Sequence, residues 1–300
     1  MAVAKYEDRI LDCTIQPSLE NLKEKSVIVT GGASGLGRGF VQAFTEAGAF
    51  VTFGDVDEET GSKLATELAG KAQFVKCDVR SWEEQVLMFE TAAAKSPSKS
   101  CDIVIANAGR AGPDGLFADE DPSLLPTKPD TTIFDINVTG ALYTAKLALH
   151  YFRRQKIEPG RDRCLILIGS LAGFMDLPGS ATYSMSKFGV RALMRSLRRN
   201  AWVDSIRVNL IAPGYIITPA YPAELITFFA SKGVKFASGE DASKATLRIA
   251  SDQSVNGRSL AVVSREDCAE GYLDLAQDDY PEGSQLRAWQ ELSLKIGSRE

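Results

Sequence analysis

The sequence predicts an α/β fold with three layers: a doubly wound parallel sheet of about seven strands with helices on both faces. Two observations carry this. Short β-branched runs alternate with helix-length amphipathic segments from Ser26 to Val263. The first run passes straight into a glycine turn, Gly31-Gly-Ala-Ser-Gly35-Leu-Gly37, that opens a helix. No linker-grade shift in composition and no internal repeat interrupts the alternation. The expected organisation is an N-terminal extension over 1–21, one domain over 22–263 and a C-terminal tail over 264–300.

Taken in order, Ser26 to Thr30 is a buried strand, and Phe40, Val41, Phe44 and Ala47 recur at helical spacing up to Gly48. Phe50 to Phe53 is the second strand, ending at Gly54-Asp55, and Asp57 to Ala69 a helix stopped by Gly70. Ala72 to Lys76 is the third strand. Ser81 can cap the helix after it, with Glu84 three residues on as in a capping box. Asp102 to Ala106 is the fourth strand, running into Asn107-Ala108-Gly109. An acidic excursion with prolines and glycines, 110–130, precedes a long helix over 132–155. Leu165 to Ile168, Ile206 to Ile211 and Ser259 to Val263 are the remaining strands. A helix over 183–202 follows the fifth strand, and another, capped by Ser238 or Asp241, runs to Ala250. The tail is acidic, with a short helix around Gln285 to Leu294.

Bulk properties narrow the function. With 34 basic and 39 acidic residues the net charge is −5, which argues against nucleic acid as the main partner. The local cluster Arg191, Arg195, Arg198 and Arg199 reads as a solvated helix face. His150 is the only histidine, so Ser-His-Asp hydrolysis and multi-histidine metal catalysis are nearly excluded. The five cysteines are widely spaced, without a CxxC pair, as expected for reduced thiols in the cytoplasm. Cys77 and Cys164 read as small buried hydrophobes. The N-terminal residues carry no signal-peptide apolar core, and no apolar run is long enough to span a bilayer.

The chemistry-bearing residues fall where strands end. Glycines at 31, 35 and 37 let a phosphate approach the backbone, and the helix that follows offers free N–H groups and a partial positive charge. A plain tight turn is the competing reading. In this strand–turn–helix context the arrangement is of Rossmann type. Asp55 lies at the tip of the second strand, about 20 residues on, where a carboxylate can accept from both adenosine ribose hydroxyls and repel a 2′-phosphate. NAD is therefore the expected cofactor; Arg38 is the one cation close by in sequence. Ser170 sits at the tip of the fifth strand, as substrate contact or as a cap. Tyr183 and Lys187 are four apart, which on a helix puts them on one face about 5–6 Å apart at Cβ. A phenol titrates near pH 10, and a neighbouring ammonium favours phenolate.

Together these residues resemble the short-chain dehydrogenase/reductase family over about residues 22–263. The matches, in order, are Thr30 to Gly37, Asp78, Asn107-Ala-Gly109, Asn137 in Asn-Val-Thr-Gly, Ser170, Tyr183-xxx-Lys187 and Pro213-Gly214. The resemblance implies that Tyr183 is the general acid/base and that Ser170 steadies the substrate oxygen. It further implies that Lys187 bonds the nicotinamide ribose and lowers the tyrosine pKa, and that Asn137 holds a water connecting that lysine to solvent. It places the cofactor against Gly31, Ser34, Gly35, Leu36, Gly37, Asp55, Asp78, Val79, Asn107, Ala108, Gly109, Tyr183, Lys187, Pro213, Gly214, Ile216 and Thr218. A homodimer or homotetramer through the helices over 132–155 and 183–202 is implied too. Two departures stand out: Ala106 where the family often has a second asparagine, and Val262-Val263-Ser264 in place of an Asp-Gly-Gly close.

Residues 215–238 are rich in apolar and aromatic side chains, among them Tyr215, Tyr221, Phe228 and Phe229. They read either as core or as a lid over a bulky, apolar, perhaps polycyclic alcohol or ketone. The leading expectation is an NAD(H)-dependent alcohol dehydrogenase or ketoreductase. A catalytically silent dinucleotide-binding regulator, or an isomerase or dehydratase using the same pocket, are the alternatives; net change in reduced-nicotinamide absorbance separates the dehydrogenase from both.

Overall fold

The computed structural model describes residues 6, 9–112, 114–117, 120–121, 123–156, 162–218 and 221–297. The other residues of the expected N-terminal extension, excursion, lid and tail lie outside them. One sheet of eight strands organises the chain: β1 (Ser26–Thr30), β2 (Phe50–Asp55), β3 (Ala72–Lys76), β4 (Ile103–Ala106), β5 (Cys164–Ile168), β6 (Arg207–Pro213), β7 (Ser259–Val262) and β8 (Tyr272–Asp274). Their order is β3-β2-β1-β4-β5-β6-β7-β8. Every neighbouring pair is parallel except β7 with β8, in register Ala261 to Leu273. The fold is thus the doubly wound one expected, with one more strand. The eighth comes from the acidic tail, where three residues are too few to show a strand period.

The helices are α1 (Gly35–Glu46), α2 (Glu58–Glu67), α3 (Trp82–Lys95), α4 over 132–154, α5 (Ala181–Arg198), α6 (Ala223–Ser231), α7 (Gly239–Ser251) and α8 (Gln285–Gly297). Two apolar cores cover the two sheet faces. One gathers Phe40, Phe44, Phe53, Leu64 and Ile249; the other gathers Met88, Phe89, Ala148, Phe152 and Met194. Caps mark the helix starts. Asp57 accepts from Thr60 N at 3.0 Å and Ser81 from Glu84 N at 3.2 Å. Glu84 does not close the box onto Ser81; its carboxylate accepts from Asp78 N at 2.7 Å, tying α3 to the end of β3. Ser238, not Asp241, caps α7; Asp241 is buried and paired with Arg265.

α4 is not uniformly α-helical. An α turn, Thr132–Phe134, leads into a π-helical segment, Asp135–Gly140, before the α-helix Ala141–Arg154. The wider turn carries Asn137 inward, as π segments in helices often do at functional sites.

The arginine cluster is a correction to the sequence reading. Arg198 is only 2 % exposed, and Arg191 and Arg199 are half-buried. Arg191 bonds Asp278 at 2.8 Å and stacks over Phe174; Arg198 and Arg199 both bond Asp279 and both cover the Tyr6 ring. Tyr6 hydrogen-bonds Asp279, and Leu11 N donates to Asp274 at 2.8 Å. Within the N-terminal stretch Tyr6 thus packs, with Asp279, against this face of α5, while most of residues 9–21 lie exposed on the surface. The partners lie 80 or more residues away, so local periodicity showed only a run of like charges.

Candidate active site

The C-terminal ends of the parallel strands form one edge of the sheet. The strand order reverses there between β1 and β4, and such switch points open a crevice. A cleft of about 720 Å³ runs along this edge. Every residue expected to bind cofactor or react lines it except Asn137.

The glycine turn is held from below. Thr30 Oγ1 accepts from Asn107 N and Ala108 N, both at 3.0 Å. Asn107 Nδ2 donates to Thr30 O at 2.9 Å and Gly31 O at 3.0 Å. This lock brings α1 so close that a Cβ on Gly37 would stand 1.9 Å from Gly31 O. Gly35 differs: its φ is +52°, and a Cβ there would meet nothing within 4 Å, so the backbone faces open space. Ser34 starts α1 without a side-chain cap, leaving the first-turn N–H groups for a ligand. An open glycine and uncapped amides at a helix N-terminus fit a dinucleotide pyrophosphate.

Asp55, at the end of β2, accepts from Ala33 N at 3.0 Å and Asp57 N at 3.1 Å, so its carboxylate is fixed at the rim. Arg38 is turned away to Glu67, at 2.8 Å. Asp78 is gripped by Arg80 through Nε at 3.0 Å to both oxygens, and these hydrogen bonds hold its carboxyl below the usual range. The cleft floor beside it is the Cys77 thiol, pushed up to about 12 by burial and so inert.

At the other end, α5 begins where Ala181 N donates to Asp114 at 2.5 Å, which anchors the excursion after β4 to the helix carrying Tyr183. Ser170 accepts from Ala172 N at 3.1 Å and donates to Pro213 O at 3.3 Å, and lies close enough to the Tyr183 phenol to act on its titration. Its capping and site readings thus coexist. Lys187 is 6 % exposed, its Nζ donating to Ile168 O at 3.1 Å and standing 5.6 Å from the Tyr183 ring centroid. Asn137, 1 % exposed, spans two elements: Oδ1 accepts from Arg110 N at 2.9 Å, and Nδ2 donates to Arg110 O and Ser186 Oγ, both at 3.0 Å. It therefore sits behind the cleft wall, clamping residue 110 to α5.

The electrostatics differ from the sequence expectation. Burial raises the Tyr183 pKa above the usual phenol value, while Ser170 works against it. Burial also lowers Lys187, to about 8. In the protein alone, desolvation outweighs the expected pull of the ammonium on the phenol.

Sequence reasoning missed Arg80, Arg110, Thr132 and Ile136 among the cleft-lining residues. Tyr221, one of the aromatics of 215–238, lines the cleft as the lid reading expected. Arg110 follows Asn107-Ala-Gly109 directly but carried no pattern of its own. The aromatics of 215–238 are not core: α6 buries no residue, Phe228 is 53 % exposed, and Phe229 packs against Tyr215 and Tyr221 at 5.0 and 6.2 Å. The segment is pinned at its base by Ala237 N to Tyr215 O, 2.8 Å.

The short chain dehydrogenase family model matches residues 25–224. The chain is 41 % identical over 294 residues to a 5′-hydroxyaverantin dehydrogenase of Dothistroma septosporum, covering 90 % of this chain and 93 % of that protein. A second 5′-hydroxyaverantin dehydrogenase, from Emericella nidulans, is 37 % identical with the same coverages. An "NADP-dependent dehydrogenase M3" from a Phoma species is 32 % identical, over 89 % of this chain and 80 % of that one. Among solved structures, a 3-ketoacyl-(acyl-carrier-protein) reductase from Brucella melitensis, complexed with NADH, has the same fold: TM-score 0.69, 23 % identity, 80 % of this chain and 97 % of that one. The chain belongs to the short-chain dehydrogenase family, oxidoreductases that work with a nicotinamide dinucleotide.

Proposed function

We propose that the protein interconverts a secondary alcohol and a ketone on a bulky, apolar, polycyclic small molecule, with NAD(H) as cofactor. The observation that carries this reading is the convergence of Ser170, Tyr183 and Lys187 on one end of a cleft whose other end is the open glycine cradle. A nicotinamide dinucleotide held there would supply the hydride acceptor for the carbinol carbon. Gly31, Ser34, Gly35, Leu36 and Gly37 would hold its pyrophosphate half, and Asp55, Asp78 and Val79 its adenosine. Asn107 to Gly109, Pro213, Gly214, Ile216 and Thr218 would hold the nicotinamide half. Ser170 Oγ holds the substrate oxygen, and Tyr183 takes the hydroxyl proton in oxidation or returns it in reduction. Lys187 would bond the nicotinamide ribose and, as a cation, lower the raised phenol. Asn137 keeps the wall behind Lys187 in place and orders water on the proton's way to solvent.

Asp55 at the rim and the engagement of Arg38 by Glu67 favour NAD over NADP. The self-packed aromatic segment over 215–238 is suited to close on a large flat substrate. The two hydroxyaverantin dehydrogenases make 5′-hydroxyaverantin the first substrate to test. We also assign the protein to the cytoplasm, where its five free thiols stay reduced, as a dimer or tetramer formed through α4 and α5. The test is initial-rate measurement with 5′-hydroxyaverantin and NAD or NADP, following reduced-nicotinamide absorbance. Stoichiometric reduction, at least tenfold more efficient with NAD, is expected; no net reduction with either cofactor would reject the reading.

A further inference from the structure

We infer that Arg110 anchors an anionic substituent, a carboxylate or ionised phenol, on the substrate; this deepens the hydride-transfer reading above and rests on it. Among the described residues, the charged side chains lining the cleft are Asp55, Asp78, Arg80, Arg110 and Lys187. Four are already committed. Asp55 accepts two backbone N–H groups, Asp78 and Arg80 hold each other, and Lys187 is buried against Ile168 O. Arg110 is exposed, and its guanidinium has only a long contact, 3.5 Å, to Ala111 O. No carboxylate among the described residues lies within ion-pair distance of it, although Asp130 feels its field.

Its placement is not that of a drifting surface cation. Asn137 grips both the N–H and the C=O of residue 110, at 2.9 and 3.0 Å. One residue earlier, a Cβ built on Gly109 would stand 3.5 Å from Lys187 Nζ. Four residues later, Asp114 takes the Ala181 N–H, two residues before Tyr183. Residues 110 and 114 are therefore each fixed by hydrogen bonds that reach the helix carrying Tyr183 and Lys187. Only the Arg110 side chain remains to be ordered, and a carboxylate or phenolate can order it. The planar guanidinium pairs with carboxylate through two parallel hydrogen bonds, which a lysine does not reproduce. Of the charged side chains lining the cleft, Asp55, Asp78 and its partner Arg80 lie at or just beyond the ends of β2 and β3, which leaves Arg110 and Lys187 as those at the substrate end.

Two probe pairs test this on the full chain. The first is the alcohols 1-(2-naphthyl)ethanol and 6-(1-hydroxyethyl)-2-naphthoate; the second is the matching ketones, 2-acetylnaphthalene and 6-acetyl-2-naphthoate. Ketone binding to NADH-loaded protein is measured by titration calorimetry, and alcohol oxidation by kcat/KM. The wild type should favour the acid over its neutral partner by about tenfold or more in affinity and in KM. Arg110→Met should bring that ratio to about one, and Arg110→Lys should leave an intermediate one. Charge-selective ketone binding lost in Arg110→Met supports the anchor even if neither alcohol is oxidised, in which case the redox reading fails and the anchor stands. A ratio near one in the wild type, an unchanged ratio in Arg110→Met, or no binding of the acid overturns it, whatever the alcohols do.

Discussion

Replacing Lys187 by Met should make stability less dependent on alkaline pH. Lys187 is buried, and burial lowers its folded pKa to about 8 from the ordinary lysine value of 10.5. A lysine depressed in the fold destabilises wherever the unfolded chain binds the proton more readily. The cost is full below the folded value, fades as pH rises from about 8, and is gone above the unfolded value. Linkage with these two values gives a cost of about 3 kcal/mol at pH 7 and about 1 kcal/mol at pH 9.5. The difference, about 2 kcal/mol, belongs to Lys187 alone. Loss of the bond to Ile168 O, worth about 1 kcal/mol, offsets part of the gain from Met at every pH. Urea unfolding of wild type and Lys187→Met, without cofactor, at pH 7 and pH 9.5 gives the two differences directly. The account expects the variant's stability relative to wild type to fall by about 2 kcal/mol between those pH values. An unchanged difference would refute the argument that desolvation sets the charge state of this lysine.

Asp55→Ala should relax cofactor choice, raising the NADP to NAD ratio of kcat/KM by about tenfold or more, measured with one alcohol at fixed concentration. An unchanged ratio would remove Asp55 from cofactor selection. Asp162→Ala should lower stability by about 3–5 kcal/mol in urea unfolding, because it strands a buried guanidinium. Arg207 is fully buried, with Nε 3.0 Å from Asp162 and Nη1 2.7 Å from Val255 O. A loss below about 1 kcal/mol would mean that the carbonyls alone satisfy Arg207.

The parts of this molecule that sequence exposes are those set by neighbours along the chain. The glycine turn, Asp55 two residues past its strand's apolar run and the spacing of Tyr183 and Lys187 are all local, and the structure gathers them at one cleft. What escaped depends on contacts made across long separations. Arg198 reads as solvated until Asp278 and Asp279 arrive from 80 residues away, and the pairing of Arg207 with Asp162, 45 residues earlier, left no local pattern. The π segment at Asn137 leaves no mark on helical periodicity, because one widened turn shifts the apolar stripe only slightly. The pKa values of Tyr183 and Lys187 went the same way: spacing showed that a phenol and an ammonium are close, but only the packed structure shows how little water reaches them.

The central claim is that Tyr183 transfers the substrate proton while the cleft holds the cofactor independently of it. Tyr183→Phe removes one oxygen and leaves the glycine cradle, Asp55 and Lys187 as they are. Reduced-nicotinamide formation from 5′-hydroxyaverantin, measured alongside NADH affinity by fluorescence titration, separates the two functions. The account predicts that turnover falls by at least a thousandfold, about 4 kcal/mol in barrier, with NADH affinity within about threefold of wild type. Full turnover in Tyr183→Phe would contradict it.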